Sequence, residues 1–289
     1  MAKMKIDEIP VSWWGLTDAQ TLAVLPFVVD RKPASVAGAV RILLDKRTVR
    51  AMTDEDIYDL TRNGGDLAFL WDEDIEGPPF VFFESQGVRF YLPAMGFGNV
   101  ILQEFLNANT YFLQFADLLS TARKDPKALQ PNGDELMQTA KKLIAHTCRP
   151  ANETSPDSLL WNGDSRQPYN EHVAEARAKN LEIDLHTAVA IVRYWGNETS
   201  AFYDRNDILE DAPDDDAPDD EAQDAPTWYE MALVWKQAHF DLAQDRALGD
   251  FKTISTTTMP DIGMYLAKLK TQGKERERLE RRSDALAES

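Results

Sequence analysis

Four histidines, one cysteine and a run of acids are the side chains here best equipped for chemistry, and their spacing argues against each obvious use. His146, His172, His186 and His239 lie far apart, with no His-Glu-x-x-His and no paired cysteines, so no zinc ligand set is written in the chain. Cys148 follows His146 by two positions, and on a helix such neighbours point apart, so the imidazole is not placed to activate the thiol. Gly64-Gly65 and Gly96-Phe97-Gly98 lack both the Gly-Lys-Ser/Thr ending and a βαβ context, and read as loops before helices rather than phosphate cradles. Asp72-Glu73-Asp74 with Glu76 clusters carboxylates without EF-hand spacing, which fits a solvated turn before Pro78. An active site would have to be assembled from scattered residues such as His172, His186 and the acids near Trp71. Ordinary surface or partly buried histidines are the simpler reading, so no catalytic, metal or cofactor-binding residue is assigned and no cofactor is expected.

The aromatic residues are more suggestive. Trp13-Trp14, Trp71, Trp161, Trp195, Trp228 and Trp235 are too dispersed to stack successive bases, which would also require a basic groove. Trp228, Tyr229, Trp235 and Phe240 differ from the rest because they sit in a short helical segment with little core in which to hide. Exposed aromatic anchors are typical of interfaces, and these four are the candidate partner-binding residues.

The charge distribution narrows the partners. The formal net charge is −18 over 289 residues. Between Asp207 and Pro226 there are ten acids and no base, whereas Thr227 to Ser289 holds ten of each sign. The acidity is therefore largely a property of one segment. Nucleic-acid binding needs clustered Lys and Arg, and the one candidate, Lys268 to Arg282, has seven bases diluted by three Glu, as in a solvated, salt-bridged helix. A single cysteine excludes an intramolecular disulfide and fits a reducing compartment. No apolar run approaches a membrane span, and Asp7 and Glu8 fall where a signal peptide needs apolar residues. A cytoplasmic protein is expected.

The elements that must position these residues are organised around Pro79 to Leu119. Phe80-Val81-Phe82-Phe83 and Val88-Arg89-Phe90-Tyr91-Leu92, separated by Ser85-Gln86-Gly87, predict a β-hairpin over 80–92. From Val100 the period changes: Leu102, Phe105, Leu106, Tyr111, Phe112, Phe115, Leu118 and Leu119 recur at helical spacing, and hairpin and helix should supply the core. Upstream, Thr17-Asp18-Ala19-Gln20 and Thr53-Asp54-Glu55-Asp56 have the form of helix-start caps, and a helix introduced by Pro33 and Ser35 carries Val36, Val40, Leu43 and Leu44. Downstream, a helix from about Asp134 places Leu136, Leu143 and Ile144 on one face. Arg149 to Gln167, rich in Pro, Asn, Ser, Asp and Gly, reads as a long surface loop. Helical pattern returns at Tyr169 to Ala178 and at Leu185 to Tyr203.

Residues 207–226 cannot bury apolar surface and repel one another, which predicts a disordered linker. Thr227 opens a small helical module over 227–270, with a charged helix or disordered tail over 271–289. Two short helices make a poor independent core, so the module either docks back on the body, residues 1–206, or binds another chain.

A helical body, an aromatic hairpin leading into the helix from Val100, and a tethered helical C-terminus resemble uncharacterised proteins from the tail-gene region of bacteriophages and prophages. Among these, the tail assembly chaperones are similar in plan. The resemblance implies a non-enzymatic morphogenetic role, the body contacting other virion proteins and the extension contacting tail-tube or tape-measure subunits. The expected fold class is mainly α with one small β-hairpin. The expected function is binding of other proteins, phage tail subunits among them, with self-association open and with neither membrane nor nucleic acid as partner. The rivals are an enzyme built from scattered His and acid residues, and an acidic nucleic-acid mimic.

Overall fold

A computed structural model describes residue 9 and residues 12–28, 33–62, 65–70, 77–124, 129–154, 164–206, 228–245 and 248–287. Trp71, the acids at 72–76, Trp161, Thr227 and the acidic segment 207–226 lie outside the described residues. The chain is mainly helical with a small antiparallel sheet. In order it forms α1 (Asp18–Val24), α2 (Pro33–Leu43), α3 (Lys46–Ala51), α4 (Asp54–Thr61), β1 (Phe82–Ser85), β2 (Val88–Tyr91), α5 (Leu102–Lys124), α6 (Leu129–Thr147), β3 (Arg149–Pro150), α7 (Glu171–Asn180), α8 (Leu185–Arg205), α9 (Trp228–Asp245), α10 (Phe251–Ser255) and α11 (Met259–Ala287). No helix among the described residues is long and apolar enough to cross a membrane.

Local chemistry accounts for most boundaries. Thr17 and Gln20, and again Thr53 and Asp56, exchange reciprocal side-chain and backbone bonds that satisfy the otherwise unpaired amides opening α1 and α4. Asp45 caps α3, which sequence pattern alone did not predict. α6 begins five residues before the expected Asp134. Pro131 falls in its first turn, where the missing amide proton would have had no intrahelical acceptor.

The hairpin pairs Phe82 with Tyr91 and Ser85 with Val88. Its two turn residues both have positive φ, 51° at Gln86 and 77° at Gly87, the type I′ geometry whose twist matches the strands. β2 then acquires a second partner, since Phe90 and Tyr91 pair with Pro150 and Arg149. The segment returning at 164–167 continues this ribbon, with Asn152 donating to the Ser165 carbonyl and Gln167 to the Pro150 carbonyl. The expected surface loop over 149–167 is thus corrected at both of its ends, where backbone pairing and buried ion pairs engage the polar groups that its composition places there.

Apolar packing divides the chain differently from composition. One cluster, around Val40, Leu43, Leu44, Leu67 and Leu70, belongs to the N-terminal helices, with Trp13 and Val28 bridging to the other. The larger cluster joins the hairpin, α5, α6 and α8 to Leu242, Ile254, Met259 and Ile262 of the C-terminal helices. Phe97 sits at its centre, fully buried against Trp195, Phe105 and Phe202. The C-terminal helices also clip onto the start of α5: Leu102 donates to the Thr257 carbonyl at 2.9 Å and Met259 to the Val100 carbonyl at 2.8 Å. Of the two fates open to this module, docking on the body is the one seen.

Candidate functional site

The described aromatic side chains of α9 fall on two opposed faces. Trp235, His239 and Leu242 recur at four- and three-residue spacing, the inner stripe of a helix. Trp235 meets Phe105 edge-on at 5.0 Å and stacks on Tyr203 at 5.7 Å, and its indole donates to the Tyr203 hydroxyl at 2.8 Å. Burial holds that phenol up at about 12. Phe240 faces outward at 54% exposure, in contact at 5.4 Å with Phe251, itself 45% exposed. Leu233 is exposed seven residues before Phe240, on the same outer stripe. His239 is buried beneath this pair and stacks on Phe251 at 4.1 Å. Trp228 and Tyr229 lie in the first turn of α9.

Two arrangements have the outline of a nucleophilic site and neither has its chemistry. Thr21, His186 and Asp18 stand in the order of a hydroxyl, imidazole and carboxylate set. The His186 Nε2 lies 2.9 Å from the Leu16 carbonyl and 3.2 Å from the Thr21 hydroxyl. A carbonyl can only accept, so this nitrogen carries the proton and cannot take one from Thr21. Thr21 is also fully buried, and Asp18 is 3.7 Å away, beyond a good hydrogen bond. Ser255 lies 3.2 Å from His239 Nε2, but its hydroxyl proton is committed to the Phe251 carbonyl at 2.7 Å. Cys148 is fully buried, and burial pushes its thiol up to about 12, which makes it inert. His172 is exposed on α7, apart from the contacts that His186 makes. Among the described residues no three metal-ligating side chains gather.

The densest polar chemistry lies where sequence reasoning placed a loop. Arg166 is fully buried and bonds the Asp164 carboxylate through Nε and Nη2, Glu104 through Nη1 at 3.2 Å, and the Thr147 and Asn99 carbonyls at 2.7 and 2.6 Å. Arg149 reaches the same two acids at 3.0 and 2.7 Å and donates to the Gln167 carbonyl. Two cations and two anions thus balance in the interior, tying α5 and the end of α6 to the returning segment. Burial pushes the Glu104 carboxyl up, against the pull of the Arg166 and Arg149 guanidinium groups. The Arg149 Nε is left without an acceptor among the described residues. One signal for this cluster was present: Glu104 falls among Leu102, Phe105 and Leu106, and a charge on an apolar helix face requires a buried counter-charge.

Beside this cluster runs a hydrogen-bonded chain. Asn107 donates to the Tyr169 hydroxyl at 2.8 Å, which donates to His146 Nδ1 at 2.7 Å. The other ring nitrogen donates to Glu175 at 3.1 Å, and Tyr111 donates to the same carboxylate at 2.5 Å. Burial holds His146 below its ordinary value, with Glu175 pulling the other way. Tyr169 also borders a cleft of about 180 Å3, where Arg149 and Arg177 meet Ala145, Val173 and Ala174. Comparison with protein-family models, curated proteins and solved structures finds no match to this chain.

Proposed function

We propose that the chain acts by binding another protein through the outer face of its C-terminal module. The carrying observation is the division of labour on α9. Trp235 and its inner stripe are anchored in the core, while Leu233 and Phe240 of the same helix remain exposed, beside the exposed Phe251 of α10. Rings presented on a docked helix lose little further freedom on binding, the property that makes aromatic residues interface anchors. The partner that fits is a protein with an apolar patch for the two phenylalanines, and the ten acids carried by residues 207–226 favour one that also bears basic charge. The resemblance in plan to tail assembly chaperones makes phage tail subunits the partner class, and a role in tail assembly the biological setting.

The test compares full-length protein with the double variant Phe240→Ser/Phe251→Ser in capture from native lysate, identifying retained proteins by mass spectrometry. Wild type should retain a defined set of subunits that the double variant loses, with melting temperatures within a few degrees of each other. Equal retention by both would refute the assignment. Loss only when the aspartates of 211–220 become serine would instead move the binding element to the acidic segment, as a nucleic-acid mimic requires.

A further inference from the structure

We propose that the cleft between the end of α6 and α7 binds a small carboxylate, with Arg177 as its charge partner. The cleft, about 180 Å3, combines the small apolar surfaces of Ala145, Val173 and Ala174 with Arg149, Arg177 and Tyr169. The charge of Arg149 is already answered, since it shares Glu104 and Asp164 with Arg166 in a set of two cations and two anions. Arg177 is a fifth charge outside that balance. Its Nη1 makes only two long bonds, 3.3 Å to the Ala145 carbonyl and 3.4 Å to the Cys148 carbonyl, and its guanidinium lies 5.4 Å over the Phe90 ring.

No carboxylate among the described residues pairs with it. Glu175, two positions earlier on α7, accepts instead from Tyr111 and His146. In a chain of net charge −18, a half-buried guanidinium without a counter-charge among the described residues and beside a second guanidinium favours an incoming anion. Its planar fork suits a carboxylate. The alanine and valine surfaces suit a ligand with a short apolar body, so a propionate-sized acid or the terminal carboxylate of a peptide has the right chemistry. The inference stands apart from the C-terminal module and from the protein partner proposed for it.

The test is titration of full-length protein, followed by amide NMR shifts, with propionate, N-acetyl-alanyl-alanine and the C-terminal amide of that peptide. Both acids should saturate shifts at Val173, Ala174 and Arg177, and the amide should not. Peptide acid binding at least about tenfold tighter than propionate would assign the carboxylate to a chain terminus, and equal binding to a free acid. Arg177→Gln should weaken both acids about tenfold or more, the scale of a lost charge-assisted pair. Val173→Phe, at a half-exposed position, fills the cleft while leaving the guanidinium in place, and should abolish binding without unfolding the protein. Absence of saturable shifts with either acid, equal binding of the amide, or undiminished binding by Arg177→Gln would overturn the proposal.

Discussion

At the scale of single residues, the structure separates side chains that look reactive from those that carry buried charge. Glu104, Arg149, Asp164 and Arg166 balance only as a set, so removing one member leaves a buried charge exposed to its like. Arg166→Leu should cost about 3–5 kcal/mol, read as a lowered urea midpoint with unchanged slope. Adding Glu104→Leu should cost less than the sum of the two single changes, because the second removes the charge that the first orphaned. His146 supplies a pH dependence. Its folded value lies below the ordinary 6.5, so the unfolded chain binds the proton more readily. Its contribution is therefore complete above about pH 6.5 and declines as pH falls below that, with a slope of at most about 1.4 kcal/mol per pH unit. His146→Gln should flatten that slope between pH 6.5 and the carboxylate range, where Glu175 takes over. Little of this was legible in sequence. His146, Tyr111, Tyr169 and Glu175 come from three helices and a loop, and no local spacing records that they meet.

Individual elements were far more legible, because the interactions that start and stop them are local. The caps at Thr17 and Thr53 and the hairpin between Phe82 and Tyr91 follow from residues within nine positions of each other. What sequence pattern missed at this scale was short: α3, α10 and β3, the last of them two residues long and paired to a strand some sixty positions earlier. A strand so short has no alternation to detect. The hairpin turn offers the cleanest test of element-scale reasoning. Gly87→Ala forces a side chain into φ 77° and should destabilise by about 1–2 kcal/mol. Gln86→Asn places a residue more tolerant of positive φ at 51° and should stabilise by about 0.5 kcal/mol. Thermal melts of the two variants should move in opposite directions.

Over the whole molecule, composition marks a break at the acidic segment that the core does not respect. The ten acids of 207–226 separate two stretches of sequence, yet Leu242, Ile254, Met259 and Ile262 share one apolar cluster with α5 and α8. Composition reports the charge of the connecting segment, whereas docking depends on which apolar faces meet, and that information is spread over positions 100–262. Trp235→Ala should accordingly cost about 3 kcal/mol, and a 1–206 fragment should melt well below the full chain by circular dichroism, since it would expose Phe105 and Val100. The central claim is that the same module is held by its inner face and binds by its outer one. The most direct measurement is amide hydrogen exchange of full-length protein with and without the partner that it captures. The account predicts new protection concentrated between Leu233 and Ser255, with exchange in the buried core of α5 unchanged. Protection confined to the N-terminal helices or the hairpin, with none across that outer face, would contradict it.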